Sequence, residues 1–134
     1  MSSAHKLLVY LRAWLPGRTT VDARERLRAM GGAALGLLIT ALICRWIAQT
    51  LGGNAVWLIA PLGASAVLVF AVPASPLAQP WSVVGGNTLS AIVGIASVNW
   101  IPDPAVAAAV AVGGAIGLMF VARCLHPPGG AAAL

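Results

Sequence analysis

Apolar residues fill most of this 134-residue chain in long runs that turn residues separate. The hydrocarbon core of a bilayer requires about 20 apolar residues of a helix that crosses it. The pattern predicts four such spans, at about 29–51, 55–72, 83–101 and 104–122. We therefore expect an all-α fold, a polytopic transmembrane helical bundle of about four spans.

Local signals mark where the helices begin and end. Thr20 or Asp22 is placed to cap the first helix, with Glu25 as its capping-box partner. The three prolines of 73–82 exclude a regular helix there, and the Pro102–Pro104 turn separates the last two spans. In the segment 6–15, which precedes the first span, Trp14 and the leucines share one helical face. This pattern is typical of an interfacial helix, or of a frayed terminus that contains leucines.

Composition supports the membrane interpretation. The chain is 60% hydrophobic and 8% charged, against roughly a quarter charged in soluble domains. Between Trp46 and Pro102 the sequence has no charged residue. These features exclude a secreted disulfide scaffold, and the basic excess is a terminal cluster and not the interleaved patch of a nucleic-acid binder.

The positions of lysine and arginine predict the orientation. All of them except Arg45 lie before the first span or just after the fourth. An even number of spans puts both clusters on one side, which the positive-inside rule makes cytoplasmic. We expect a basic cytoplasmic segment at 1–29 and a transmembrane domain at 30–134, with 49–54 and 102–104 outside. Arg45 attracts anions or snorkels to the interface.

Small residues recur four apart on three spans, where they would let helices approach closely. The pairs and triplet are Gly32/Gly36, Gly86/Ser90/Gly94 and Gly113/Gly117. They offer more packing surface than one copy needs, so we expect a homo-oligomer, a dimer or trimer. On the third span a polar stripe either lines a pathway or bonds to neighbouring helices; it contains Asn87, Ser90 and Ser97.

Two segments repeat a Pro-Gly pattern, 60–68 (APLGASAVL) and 126–134 (HPPGGAAAL). Proline in the first turn followed by glycine favours a helix that begins inside the membrane, whose free amides can bind an anion. Pro61 and Pro127 would then start interrupted helices that meet at one site. The alternative is that Pro61 only kinks a span and Pro127 only ends one.

The same segments resemble the HPP family of integral membrane proteins, named for a His-Pro-Pro motif. Residues 60–94 read APLGASAVLVFAVPASPLAQPWSVVGGNTLSAIVG, and 125–134 read LHPPGGAAAL. The resemblance covers 31–134 and implies about four helices, sometimes followed by CBS domains. Chloroplast and cyanobacterial members are linked to nitrite transport, so it implies a transporter or channel for a small anion, in a bacterial inner membrane.

The chain departs from the family pattern in three places. Members often have His where this chain has Asn87, and a hydroxyl residue where Ala132 stands. Relatives usually continue for another apolar helix beyond 134, so we expect a truncated form.

The predicted substrate site is made of backbone amides, one hydroxyl and one histidine. Its residues are Gly63, Ala64, Ser65, His126, Pro127, Pro128, Gly129 and Gly130, with Asn87, Ser90 and Ser97 lining the pathway. His126 is a titratable gate or a helix cap. We expect no cofactor and no metal, because no second ligand lies near His126, and we expect the thiols Cys44 and Cys124 to be apolar fillers.

Two other classes of function stay open. One is a membrane assembly or sensor subunit that transports nothing. The other is an intramembrane serine hydrolase built on Ser65 and a distant histidine. The sequence disfavours the hydrolase, because Gly63-x-Ser65 is followed by Ala66-Val67 and lacks the second glycine of a nucleophile elbow. We expect a protein that is not an enzyme.

Overall fold

A computed structural model describes residues 21–51 and 60–134, together with His5. Within these ranges the chain forms five α-helices and no strand. In chain order they are α1 (Ala23–Leu51), α2 (Ala60–Ala71), α3 (Pro80–Trp100), α4 (Pro104–Val121) and α5 (Pro127–Ala132). A 3-10 turn (Pro76–Ala78) lies between α2 and α3. The predicted interfacial segment 6–15 and the break at 52–54 lie outside the described residues.

Three of these helices, α1, α3 and α4, are long and apolar enough to cross a membrane. The second predicted span, 55–72, is represented in the described residues by α2, which is apolar and has 12 residues there. The all-α membrane bundle is confirmed, with three long helices and two shorter ones in the described residues.

Side-chain caps fix two of the helix starts. The Oδ1 atom of Asp22 accepts a hydrogen bond of 2.7 Å from the amide of Glu25, as the capping pattern predicts. At α4 the Oδ1 atom of Asp103 accepts from the amides of Ala105 and Val106, both at 2.9 Å. Helix α3 begins at Pro80, three residues before the predicted start of the third span, because proline suits a first helical turn.

The helices pack through small residues. A Cβ atom built on Gly32 would lie 2.6 Å from the Phe70 ring, and one on Gly36 would lie 3.1 Å from it, so α1 and α2 meet there. A second cluster joins α4 to α5 and to the connector before it; its buried members are Ala111, Ala115, Met119, Cys124 and Ala133. Both Gly113 and Gly117 face open space on α4. The small-residue faces of α1 and α3 are therefore occupied within one copy, and that of α4 is not.

Candidate functional site

The short helix α5 lies against the small-residue face of α3. A Cβ atom on Gly86 would lie 2.7 Å from the Cβ of His126, and one on Gly94 would collide with the carbonyl of Ala133. The contacts advance in the same direction along both helices, so α5 runs parallel to α3. Because Gly86 is six residues into α3, the level of His126 is roughly 9 Å along that helix from its first residue. The prediction that Pro127 starts a helix within the bundle is therefore confirmed.

A hydrogen bond joins the two Pro-Gly segments at this level. The Oγ atom of Ser65, on α2, lies 2.9 Å from Nε2 of His126. Ser65 and His126 are 61 positions apart in the sequence. They are close in space because α5 packs tightly on α3, which places His126 next to α2. The two segments that the sequence singles out as a repeat thus meet through their polar side chains.

The other ring nitrogen of His126 defines the direction of this bond. Nδ1 lies 2.8 Å from the carbonyl oxygen of Leu77, which can only accept, so Nδ1 carries a hydrogen. In a neutral imidazole Nε2 then has no hydrogen, and the hydroxyl of Ser65 donates to it. With 0% of its surface exposed, His126 has both nitrogens bonded within the protein.

The 3-10 turn holds the Leu77 carbonyl in place. Its first residue, Pro76, accepts a hydrogen bond of 3.0 Å from the hydroxyl of Ser82, which is buried at the start of α3. The amide of Leu77 donates to the Oγ of Ser75 at 3.2 Å. Neither Leu77 nor Ser82 is among the predicted site residues. A carbonyl has no side-chain signature, although serine before proline is a turn signal that the sequence does contain.

The N-terminus of α5 offers fewer free amides than the sequence argument assumes. Pro127 and Pro128 have no N–H, and the amide of Gly129 already donates to the carbonyl of His126 at 2.8 Å. Of the first four residues, this leaves the amide of Gly130. The main effect of the His-Pro-Pro motif is therefore to position His126, and it contributes few free backbone amides that could bind an anion.

The N-terminus of α2 differs in a similar way. Since α2 already extends back to Ala60, the amides of Ala64 and Ser65 lie beyond the first four residues of the helix. The side chain of Ser65 therefore lies at the site, whereas its backbone amide lies within the helix. A Cβ on Gly63 would meet nothing within 4 Å, so its surroundings are open.

The polar stripe of α3 faces protein along much of its length. Ser90 has 0% of its surface exposed, donates to the sulfur of Met119 at 3.9 Å and lies under Gly129. Ser97 is also buried, whereas Asn87 is half-buried and donates to the carbonyl of Val83 in its own helix at 2.8 Å. Of the two alternatives for this stripe, bonding to a neighbouring helix describes Ser90, whereas Asn87 bonds within its own helix.

A groove between α1 and α2 reaches the same serine. We call it the α1–α2 groove; it has a volume of about 220 Å³, and its lining side chains are apolar apart from those of Thr40 and Ser65. The hydroxyl of Thr40 is bonded to the carbonyl of Gly36 at 2.9 Å. Ser65 therefore lies between His126 on one side and an uncharged groove on the other.

This arrangement of long apolar helices around a helix that begins within the bundle defines a multi-pass helical membrane protein. The family model described as HPP, transmembrane region, matches residues 18–134. The chain therefore belongs to the HPP family, as the motifs predict.

Two curated relatives come from Dictyostelium discoideum, and each is named as a transmembrane protein. One is 39% identical over 137 residues, covering 96% of this chain and 47% of the relative. The other is 37% identical over 133 residues, covering 93% of this chain and 42% of the relative. The chain thus spans a little less than half the length of these relatives. No solved structure matches the chain.

Proposed function

We propose that this protein transports a small inorganic anion across a membrane, with nitrite as the first candidate. The observation that carries the proposal is the hydrogen-bonded pair formed by the half-buried Ser65 and the buried His126, at the start of a helix within the bundle. In membrane segments, buried polar and ionisable side chains are costly and usually mark a site or a pathway. The link between other HPP family members and nitrite transport favours this substrate.

The absence of charge around the pair suits transport. Among the described residues, α2, α3, α4 and α5 contain no Asp, Glu, Lys or Arg. A permanent cation would hold an anion tightly, whereas hydroxyl and amide donors bind it weakly enough for release. Ser65 supplies the hydroxyl, Gly63 and Gly130 supply amides, and His126 supplies a charge that depends on pH.

The setting of the transporter is part of the proposal. We infer a bacterial inner membrane with the N-terminus in the cytoplasm, because of the basic residues before α1 and at Arg123. The connectors that hold Leu77 and His126 would then face the cytoplasm. A homo-oligomer would enclose the pathway on the sides that one copy leaves open.

The test is uptake of nitrite into proteoliposomes that contain the full-length protein. Protein-free vesicles measure the leak of undissociated nitrous acid, and nitrate and chloride serve as competitors. Ser65→Ala should raise the half-saturation concentration about tenfold, the effect of losing one hydrogen bond to a charged group. Thr50→Ala is the matched control, because the Thr50 hydroxyl bonds within its own helix, to the carbonyls of Trp46 and Ile47. Uptake no faster than the leak for every anion would contradict transport and favour an assembly or sensor subunit.

One observation also favours a hydrolase as the second candidate. A serine 2.9 Å from a histidine whose other nitrogen is bonded to an orienting group is the arrangement of a nucleophile and its base. The amide of Ser65 lies within α2, however, so it is not free to act as an oxyanion donor. A fluorophosphonate probe should therefore leave Ser65 unlabelled, and labelling that His126→Ala abolishes would establish the hydrolase.

A further inference from the structure

The hydrogen bonds of His126 determine whether Ser65 can donate to an anion. With a neutral imidazole, Nδ1–H donates to Leu77 and the Ser65 hydroxyl donates to Nε2. The single hydroxyl hydrogen is then in use, and the Ser65 oxygen presents only lone pairs to the α1–α2 groove. An anion in the groove meets no donor from Ser65 in this state.

Protonation reverses one of these bonds. Nε2 gains a hydrogen and donates to the Ser65 oxygen, while Nδ1 continues to donate to Leu77. The hydroxyl hydrogen of Ser65 is released and can turn toward the groove. No helix has to move, because the heavy atoms already lie at hydrogen-bond distances of 2.9 and 2.8 Å.

We propose that Ser65 and His126 form a proton-controlled donor switch that admits a small anion into the α1–α2 groove together with one proton. This inference rests on the proposed transport function and adds the coupling ion and its stoichiometry. The transported species is one anion plus one proton, which carries no net charge.

The surroundings of His126 make the coupling between proton binding and anion binding strong. The elements packed against it are α2, the 3-10 turn, α3 and the end of α4, and their described residues carry no Asp, Glu, Lys or Arg. On its own connector, Arg123 is exposed and Cys124 is a buried thiol. A protonated imidazole in this place has no countercharge unless an anion arrives. Protonation of His126 therefore strengthens the binding of the anion, and by thermodynamic linkage the bound anion strengthens the binding of the proton.

The groove has room for such an anion. Its volume of about 220 Å³ is several times the share of about 30 Å³ that a water molecule takes in the liquid. In the groove, Thr40 already donates to the carbonyl of Gly36, which leaves Ser65 as the hydroxyl that protonation frees. An anion bonded to Ser65 would lie within about 6 Å of the imidazolium, a distance at which opposite charges stabilise each other.

The first experiment measures proton and nitrite uptake together in proteoliposomes of the full-length protein. We expect one proton per nitrite, uptake driven by an inward pH gradient and indifferent to a clamped membrane potential. Apparent affinity should fall up to about tenfold per pH unit across the range in which the protein loses this proton, because one proton is linked to binding. Nitrite uptake that is driven by voltage and carries no proton would overturn the switch and leave transport intact. No protein-dependent uptake would overturn both.

Two variants separate the switch from folding. In His126→Gln the amide nitrogen can donate to Ser65 at every pH, so uptake should persist and lose its pH dependence. His5→Ala removes the other histidine of the chain and should keep the wild-type pH profile. If the pH profile of uptake in His126→Gln matched that of the wild type, His126 would be excluded as the group whose protonation controls uptake.

A spectroscopic measurement tests the switch without transport. In the 134-residue chain with His5→Ala, ¹⁵N spectra of labelled histidine report on His126 alone. We expect the neutral form to carry its hydrogen on Nδ1, and nitrite to move the midpoint of the titration to higher pH by about one unit. In Ser65→Ala the shift should be smaller. A neutral form protonated on Nε2, or a midpoint that nitrite leaves unchanged, would contradict the proposal.

Discussion

A single buried side chain, His126, links the local chemistry to the packing of the whole bundle. Each ring nitrogen has one partner, so burial leaves no polar atom without a hydrogen bond. One partner is a side chain that the sequence predicts for the site, Ser65. The other is the Leu77 carbonyl, 49 residues away, and a backbone oxygen has no signature in a sequence. The identity of the site histidine was therefore predictable, and the direction of its hydrogen bonds was not.

A second residue, Arg123, sits where the backbone is strained. Its φ of 54° is in the left-handed region, at the C′ position of a Schellman motif. The motif closes with Arg123 donating to Phe120 at 3.2 Å and Cys124 donating to Met119 at 2.9 Å. This turn directs the chain from α4 toward His126, and arginine stands where glycine is usual.

We predict opposite effects of two substitutions at Arg123. Arg123→Gly should leave the stability unchanged or raise it by about 0.5 kcal/mol, because relief of strain exceeds the added entropy of the unfolded chain. Arg123→Val should lower it by about 1–2 kcal/mol, since a β-branched residue fits this region poorly. Thermal unfolding in detergent measures both. Equal stabilities for the two variants would contradict a role for the backbone angle.

Among the elements, the helix ends are the best-predicted features, and the docking of α5 is the least predictable. Caps and prolines act within a few residues, so Asp22, Asp103 and Pro104 mark their helices in the sequence itself. The small-residue spacing also predicts three packing faces, of which those on α1 and α3 are occupied within one copy, but it does not say by which partner. Phe70 fills one face and α5 fills another, and both are contacts between segments far apart in the chain.

The α3 face yields a prediction with a matched control. Gly94→Ala should displace α5 and destabilise the protein by about 1–3 kcal/mol, because the new methyl group would meet the backbone of Ala133. Gly113→Ala makes the same change on α4, where nothing lies within 4 Å, and should be neutral or slightly stabilising. The comparison is made by thermal unfolding in detergent. If Gly94→Ala were as stable as Gly113→Ala, α5 would not be packed tightly on α3.

For the whole molecule, the antiparallel arrangement of α3 and α4 places Pro102 at one end of the bundle and the 72–79 and 122–126 connectors at the other. With a cytoplasmic N-terminus, we predict that Pro102→Cys reacts with an impermeant maleimide from outside intact cells, and that Ala74→Cys reacts only after the cells are opened. Both positions are exposed. The background carries Cys44→Ala and Cys124→Ala, and Pro102 is used because Asp103 caps α4. The reverse labelling pattern would invert the orientation.

The open face of α4 makes the assembly testable. Gly113 and Gly117 are exposed, one helical turn apart, and no described residue lies within 4 Å of a Cβ on either. In a bilayer such a face can receive a helix of a second copy, because lipid chains pack poorly into a groove of glycines. We predict that Gly113→Leu weakens a dimer or trimer without unfolding the monomer, since the leucine would extend into unoccupied space. Gly31→Leu is the control, as Gly31 also meets nothing within 4 Å but lies on α1. Native mass measurement in mild detergent and in native lipid gives the copy number. A wild-type monomer in both would contradict assembly, and a Gly113→Leu oligomer as stable as the wild type would place the subunit contact elsewhere.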